Sequence, residues 1–458
     1  MISNRTLFIN VENKKHEFLN IDNRKKGLFL GYYLYEEYCS KEDVVIVRGA
    51  LSGLLPGICQ CYIVYFDRMS GSISYSIVSG NLGANLFSQN IEAVVFTGKN
   101  ENSKLYITIE SDNVNFRDCG EIWDFDYILL KNTLENIIKS SKDAVLFSGN
   151  SVNPHYFSKI NISSNEVFNC PSVSELLCLK GIKLVYFKHG FHIGNIDVKK
   201  EFFNIGKKFR MDSSQLSNMR SCNGCPVHCF SFISRAGKQN ISYSVYRRFF
   251  NIVKDMLTED FLDDIEKFFY LLEVFSIDQI SILPVFKILK EKKELFPLMG
   301  LDNKTKFEFR DIVVFLKNLN LENNDFYNLL RTDKNLFERE YGINLRKNNI
   351  VGMDYALTTE EKNLFSKDFY PSGMFEYDFS DTKAFLNMKS LYEYFGICPN
   401  CIDIYDEYWV SKIGEKIDTQ FSNIDRMNTI SEIFFRYKHE TEKMFTGIDR
   451  LQNGGIDE

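Results

Sequence analysis

The alternation of apolar and polar positions divides this chain into two unlike halves. In the first, short runs rich in β-branched and aromatic residues (Val44 to Arg48, Cys61 to Phe66, Ile73 to Val78, Ala93 to Thr97 and Lys104 to Ile109) are bounded by Gly, Asn or Ser and predict strands. Ile182 to Phe187 predicts one more strand, preceded by a short helical stretch around Ser172 to Cys178, and His189-Gly190 breaks the pattern. Beyond residue 200 the period changes. Phe261, Ile265, Phe268, Phe269, Leu272 and Phe275 recur at helical spacing behind Thr258, with Glu259 and Asp260 in the first turn, where the helix dipole favours acids. Helical patterns continue through Ile280 to Leu295, Phe307 to Leu319, Ala384 to Tyr394 and Tyr408 to Tyr437. No internal repeat and no low-complexity tract is apparent. The expected fold class is α+β: a β-rich domain of two packed sheets over residues 1–200, then mostly α-helical domains over 201–330 and 331–458.

Length fits that division, because 458 residues exceed what one small core serves. The 55 basic and 61 acidic side chains give a net charge of −6 with no long basic block, so nucleic acid is not an expected partner. Met1 to Asn20 lacks the apolar stretch of a signal peptide and no later run is long enough to span a bilayer, so the expectation is a cytoplasmic protein without a membrane role. Eleven cysteines, an odd number in a large chain, suit reduced thiols and a metal site better than a disulfide framework. Cys39, Cys119, Cys170 and Cys178 stand alone and read as small core residues, and Cys59 and Cys61 as buried neighbours on one face of a strand.

The chemistry concentrates at Ser221-Cys222-Asn223-Gly224-Cys225-Pro226-Val227-His228-Cys229-Phe230. A Cys-x2-Cys-x3-Cys run supplies three thiolates of a tetrahedral set and needs a fourth from elsewhere. Cys398 in Glu393-Tyr394-Phe395-Gly396-Ile397-Cys398 is the first candidate, with Cys401 as the spare. Zinc and an iron–sulfur cluster both accept four thiolates; three ligands from one turn and one from afar is the pattern that favours a 4Fe-4S cube. His228 is placed to donate to a cluster sulfur, and His189 and His192 lack the companions of a metal site. No Walker loop, dinucleotide-binding glycine turn or serine-hydrolase elbow occurs.

Taken in order, these motifs resemble the aldehyde:ferredoxin oxidoreductase family. Arg5-Thr6-Leu7-Phe8-Ile9-Asn10-Val11 is similar to the family's opening strand, Gly49-Ala50-Leu51-Ser52-Gly53 to its Gly-Pro-Leu-(Ser/Thr)-Gly turn, and Ser79-Gly80-Asn81 to its Ser-Gly-Gly segment. The resemblance continues through Ile122-Trp123 and ends its first domain at Leu179-Lys180-Gly181-Ile182-Lys183. It implies that Cys222, Cys225, Cys229 and Cys398 bind a 4Fe-4S cluster beside a tungsten or molybdenum bis-pterin, with electrons passing to ferredoxin or another redox protein. The family's paired Asp-x-x-Gly-Leu-(Asp/Cys) motifs, which hold the pterins, correspond to Glu273-Val274-Phe275-Ser276-Ile277-Asp278 and Glu393 to Cys398. Implied cofactor-binding residues are therefore Ser79, Gly80, Glu273, Asp278 and Glu393.

The departures from the family are specific. Glutamate replaces aspartate in both motifs, Gln60 stands where the family has a pterin-contacting arginine, and Val78 stands where it has an asparagine. Asn169 to Ser174 replaces an Arg-x-Gly-Arg-Gly-Gly stretch, and no position matches a catalytic acid or base. The resemblance implies an oxidoreductase acting between an aldehyde or carboxylate and ferredoxin, as a homo- or heterodimer. The departures leave two alternatives open: a pterin-free electron-transfer or assembly partner, and a zinc-stabilised protein without redox chemistry.

Overall fold

The structure is a computed structural model. It describes residues 5–190 apart from 22–24, 54–57, 69–70, 79, 101–102, 139, 141, 150–154 and 163–171, then 265–301, 309–321, 324–342 and 393–397, with three short backbone strands between 219 and 246. The first part contains β1 (Arg5–Asn10), β2 (Lys15–Asn20), α1 (Gly27–Tyr38), β3 (Val44–Arg48), β4 (Cys61–Asp67), β5 (Ser72–Val78), α2 (Asn81–Ser88) and β6 (Ala93–Thr97). These are followed by β7 (Leu105–Glu110), β8 (Asn113–Asp118), α3 (Tyr127–Ile137), β9 (Ala144–Ser148), β10 (Ile160–Ile162), α4 (Val173–Leu179) and β11 (Ile182–Phe187). The strands form two mixed sheets, ordered β2-β1-β6-β3-β4-β5 and β10-β9-β11-β7-β8. The fold class is α+β, as the pattern of the sequence requires.

The two sheets are copies of one plan. In each, the first strand pairs antiparallel with the second and parallel with the last, and the last pairs antiparallel with the strand that follows the first helix. The spacing is one hundred residues: Arg5 and Leu105 open β1 and β7, Gly27 and Tyr127 open α1 and α3, and Val44 and Ala144 open β3 and β9. Ser40-Lys41-Glu42-Asp43 and Ser140-Ser141-Lys142-Asp143 lead into β3 and β9 through the same turn. The Ser40 amide donates to Asp43 Oδ2 at 2.7 Å and the Ser140 amide to Asp143 Oδ2 at 3.1 Å. This duplication corrects the reading of a chain without repeats. It escapes inspection because only scattered equivalent positions, such as Ser40 and Ser140, Asp43 and Asp143, and Gly49 and Gly149, keep their identity.

Facing residues of the two sheets make one core: Leu7, Ile9, Val44, Ile46, Val94 and Phe96 from the first, and Ile107, Ile109, Ala144, Leu146, Val185 and Phe187 from the second. Side chains alternate across a strand, so the other faces need their own cover. On the first sheet α1 lies over Val47 and Val64, with Gly31 at the contact. On the second, Tyr127, Leu130 and Leu134 of α3 lie over Val145, Phe147, Leu184 and Tyr186. This outer cover is why β3, β4 and β9 read as continuous apolar runs rather than alternating ones.

The helical part contains α5 (Ile265–Val274), α6 (Gln279–Glu291), α7 (Phe309–Leu321), α8 (Asp325–Thr332) and α9 (Lys334–Tyr341). Its core is aromatic, with Phe268, Phe286, Phe315 and Tyr327 in successive ring contacts, and Tyr156 and Phe157 of the β domain insert into it. The stretch expected as one helix from Ile280 to Leu295 ends at Glu291; Lys292 leaves helical geometry and single 3-10 turns come after it. The starts of the Phe261 and Phe307 patterns, most of Ala384 to Tyr394, all of Tyr408 to Tyr437 and the domain boundary near residue 200 lie at least partly outside the described residues, whereas the division between 330 and 331 falls inside α8, with Leu330 and Phe337 in one core.

The segments 273–278 and 393–397 each dock on one sheet, in the same way. Lys159 and Gln60, the residues just before β10 and β4, donate their amides to the carbonyls of Ser276 (2.7 Å) and Gly396 (3.3 Å). Asp278 donates its amide to Phe157, while Ala50 and Leu51 donate theirs to Tyr394 and Phe395. Gly149 after β9 and Gly49 after β3 lie against Ser276 and Gly396, so close that a Cβ on either glycine would collide. Arg48 braces the first of these loops. It is buried with Glu92 and Lys26, and its Nη1 reaches the carbonyls of Gly49 (3.3 Å) and Ala50 (3.1 Å).

Ser276 and Gly396 both adopt positive φ, 52° and 81°. A serine there carries backbone strain, and its buried hydroxyl has no hydrogen-bond partner among the described residues. Ser276→Gly is therefore expected to stabilise the protein by about 1 kcal/mol, whereas Gly396→Ser, whose Cβ would meet Ser52 and Gly49, costs about 2 kcal/mol or more. Denaturant titration of the two variants checks the opposite signs.

A second expectation concerns His155, buried where the β domain meets α7 and hydrogen-bonded through Nε2 to Asn320 Oδ1 at 3.2 Å. Burial pushes its pKa down to about 4. The unfolded chain takes up this proton near the ordinary value of 6.5, so the neutral ring's contribution is complete above that pH and is lost as pH falls towards 4. It amounts to about 3 kcal/mol over that window. His155→Gln flattens this part of the pH profile in urea unfolding; an unchanged profile contradicts the assignment.

Candidate functional site

The two docked segments bring Glu273 and Glu393 to matching places, one on each sheet. Both carboxylates are almost out of water, at 1% and 5% exposed. A buried carboxylate needs a donor or a cation, and each segment meets the requirement differently. Glu273, near the end of α5, forms an ion pair with Lys159 Nζ, itself buried. Tyr127, the first residue of α3, donates its hydroxyl to Glu273 as well. Burial and the adjacent carboxylate hold that phenol well above its ordinary pKa, so it stays a donor. The Lys159 ammonium also lies 5.8 Å from the centre of the Tyr127 ring. Glu393 instead accepts from the Tyr75 hydroxyl, which comes from β5, a strand with no counterpart in the second sheet among the described residues.

Docking equivalence pairs Lys159 with Gln60, since each sends its amide to the same motif position. Gln60 Oε1 accepts from Tyr62 at 3.1 Å, and the Gln60 carbonyl accepts from Ser52 Oγ at 2.5 Å. The one position thus holds a cation in one half and a neutral amide in the other. Asp278 caps α6, its Oδ2 accepting from the Ser281 amide at 2.8 Å and the Ser281 hydroxyl at 2.5 Å. Gly80 precedes α2 with φ 104°, and Ser172 takes the same place before α4 with φ 64°. Ser79 lies outside the described residues.

A bis-pterin carries phosphates, and phosphates require cations or free backbone amides. Beside the start of α4 the chain places carboxylates. Asp67 accepts from Ser172 Oγ at 3.4 Å, and Glu175 has its pKa raised by burial, with Arg68 opposing the rise and Asp67 adding to it. Lys159, buried beside Glu273, is paired with it. Oε1 of each motif carboxylate is thus engaged by a side chain of the β domain, while Oε2 of each is buried and meets no hydrogen-bond donor among the described residues, so each acid keeps an acceptor for an external donor.

The metal ligands expected from the sequence, Cys222, Cys225, Cys229 and Cys398, lie outside the described residues, and so do His192 and His228. Their flanks are described. Arg220 pairs with Phe230 in an antiparallel ladder, and the three clustered cysteines fall between them in sequence. Ile397, which bridges Ile58, directly precedes Cys398. Among the described residues no three of His, Cys, Asp or Glu converge in a way that could hold a metal ion. Cys59, Cys61, Cys119 and Cys178 are buried thiols outside any disulfide and Cys39 is half-buried, in keeping with core thiols.

The sequence pointed to both glutamates and missed Lys159, Tyr127 and Tyr75. The hundred-residue spacing would have found the first two, because it aligns Lys159 with the neighbourhood of Gln60 and Tyr127 with Gly27. Tyr75, 318 residues from Glu393, left no such signal.

Comparison with known proteins places this architecture. Residues 6–189 match the family model described as aldehyde ferredoxin oxidoreductase, N-terminal domain. No curated protein matches the sequence. Among solved structures, a chain of the active site complex BamBC of benzoyl coenzyme A reductase in complex with 1,5-dienoyl-CoA is similar, with 12% identity and a TM-score of 0.71 over 96% of this chain and 88% of that one. At such identity the likeness is one of fold, and it extends across the helical part as well. The duplicated β domain, residues 6–189, is thus similar to the N-terminal domain of the aldehyde ferredoxin oxidoreductase family.

Proposed function

We propose that this chain is an iron–sulfur electron-transfer protein of the family, in which Cys222, Cys225, Cys229 and Cys398 hold a 4Fe-4S cluster that exchanges electrons with ferredoxin or another redox protein in the cytoplasm. The observation that carries this reading is the anchoring of both ligand segments: three cysteines lie between the paired residues Arg220 and Phe230, and the fourth directly follows the bridged Ile397. Three thiolates from one short run and a fourth from a distant segment suit a cluster more than zinc, which more often takes two short Cys-x2-Cys arms. The solved relative is a complex of two kinds of subunit, which supports a protein partner here. No helix among the described residues is long and apolar enough to cross a membrane.

A second reading keeps the catalytic role, electron transfer between an aldehyde or carboxylate and ferredoxin through a tungsten or molybdenum bis-pterin. Retention of an acid at the same place in both docked segments favours it. Metal and pterin analysis of anaerobically purified protein, made in a host that supplies the cofactor, separates the two. The electron-transfer reading expects about four irons per chain, absorption near roughly 400 nm and neither tungsten nor molybdenum. Tungsten or molybdenum with pterin would establish the catalytic reading, and a colourless zinc protein would sink both. Cys398→Ser is expected to abolish the absorption while leaving the β domain folded by circular dichroism.

A further inference from the structure

The surroundings of Tyr127 point to an exchangeable plug: we propose that its ring occupies a place on the second sheet suited to a flat heterocycle with a ring N–H beside a ring carbonyl, and that the protein binds such a cyclic amide when Tyr127 moves aside. The proposal goes beyond the electron-transfer reading and does not depend on a cluster.

The Tyr127 ring lies nearly parallel to that of Phe147 on β9, at 16° with centroids 6.0 Å apart. Phe147 is paired across the ladder with Asn161 of β10. Directly opposed residues of an antiparallel pair project to one face, so Asn161 shares the face of the two rings. Its side chain is buried, and Nδ2 finds no acceptor among the described residues. Ser276 borders the same place, since a Cβ on Gly149 would meet both the Ser276 hydroxyl and the Tyr127 Cβ, and this hydroxyl is buried without a partner among the described residues as well. The Lys159 ammonium lies 5.8 Å from the ring centre, and the Tyr127 hydroxyl donates to Glu273.

A phenol uses only part of these surroundings. Its one polar atom serves Glu273, and the rest of its edge is C–H, which cannot accept from Asn161 Nδ2; a buried donor left unmade is costly. A ring that carries N–H beside C=O answers both demands, with the N–H in the phenol's place at Glu273, the carbonyl on Asn161 Nδ2 and the ring face on Phe147. The first half offers no such place. Tyr62, two residues beyond Gln60 as Asn161 is beyond Lys159, bonds Gln60 Oε1 at 3.1 Å, and Gly27, the counterpart of Tyr127, carries no ring and lies against the Tyr394 carbonyl. One site per chain follows. Tyr127 is also the first residue of α3, where a helix frays at low cost, so the plug can move without unfolding the sheet beneath it.

The test is equilibrium binding of uracil, pterin and naphthalene to the full chain by calorimetry, with uracil as a one-ring cyclic amide, pterin as a two-ring one and naphthalene as a flat ring system with no polar edge. The wild type is expected to bind uracil or pterin at one site per chain, and Asn161→Leu to weaken that binding about tenfold. Tyr127→Phe keeps the ring but drops its bond to Glu273, and tightens binding about tenfold, because a plug that is easier to displace leaves more of the chain competent. Tyr127→Ala tightens it further; should that variant fail to fold, Tyr127→Phe carries the comparison. Any naphthalene binding is indifferent to Asn161→Leu. Uracil alone assigns a one-ring ligand and pterin alone a two-ring one, both in support. A wild type that binds neither cyclic amide overturns the proposal, as does an Asn161→Leu variant of unchanged affinity or a Tyr127→Phe variant that binds no tighter than the wild type. Iron content of the same samples reports on the electron-transfer reading separately.

Discussion

A carboxylate taken out of water must be met by a proton donor or a cation, and this constraint governs how the two parts of the chain are joined. Glu273 and Glu393 sit on the segments that bring the later part of the chain onto the β domain, and their partners belong to the β domain itself. The backbone ladder fixes where each segment lies. The acids fix which loop it can accept, because either glutamate placed on the wrong loop would be buried without its donor, at a cost of several kcal/mol. The rest of the interface, the Tyr156–Phe157 insertion into the aromatic core and the close approach of Gly49 to Gly396, depends on that placement.

Much of the β domain is legible from its residues. The strands Val44–Arg48, Ala93–Thr97 and Ile182–Phe187 stand where the apolar runs put them, because buried strands concentrate β-branched residues between turn formers. The helix α1, Gly27–Tyr38, is not legible in that way. With Gly27, Leu28, Phe29, Leu30, Gly31, Tyr32, Leu34 and Tyr35 all buried, it has no polar stripe to set the period. The helix α3 and the short β9 and β10 are lost for a related reason, since each is recognisable only beside its counterpart in the first half.

The site divides along the same line. Motif residues adjacent in sequence, such as Glu393 to Cys398, can be read as words, and their likeness to a family carries them. Partners contributed from far along the chain cannot be read this way, and the departures at Gln60 and Val78 looked like simple losses. Lys159, which docks as Gln60 does, carries a cation where Gln60 has a neutral amide, and that cation pairs with Glu273.

The docking loops also set an order of assembly. During synthesis the second loop, at Phe157 to Lys159, receives its partner once residues 273–278 have emerged, whereas the first, at Gly49 to Gln60, needs residues 393–397. From residue 50 to residue 394 the ribosome adds 344 residues, which at typical rates takes roughly 20 to 70 s. Throughout that interval the backbone amides of Ala50 and Leu51 lack their native acceptors. The sheet around them is complete once residue 97 is made and its shared core once residue 187 is made, so a folded β domain waits with these two amides open until residues 394 and 395 arrive.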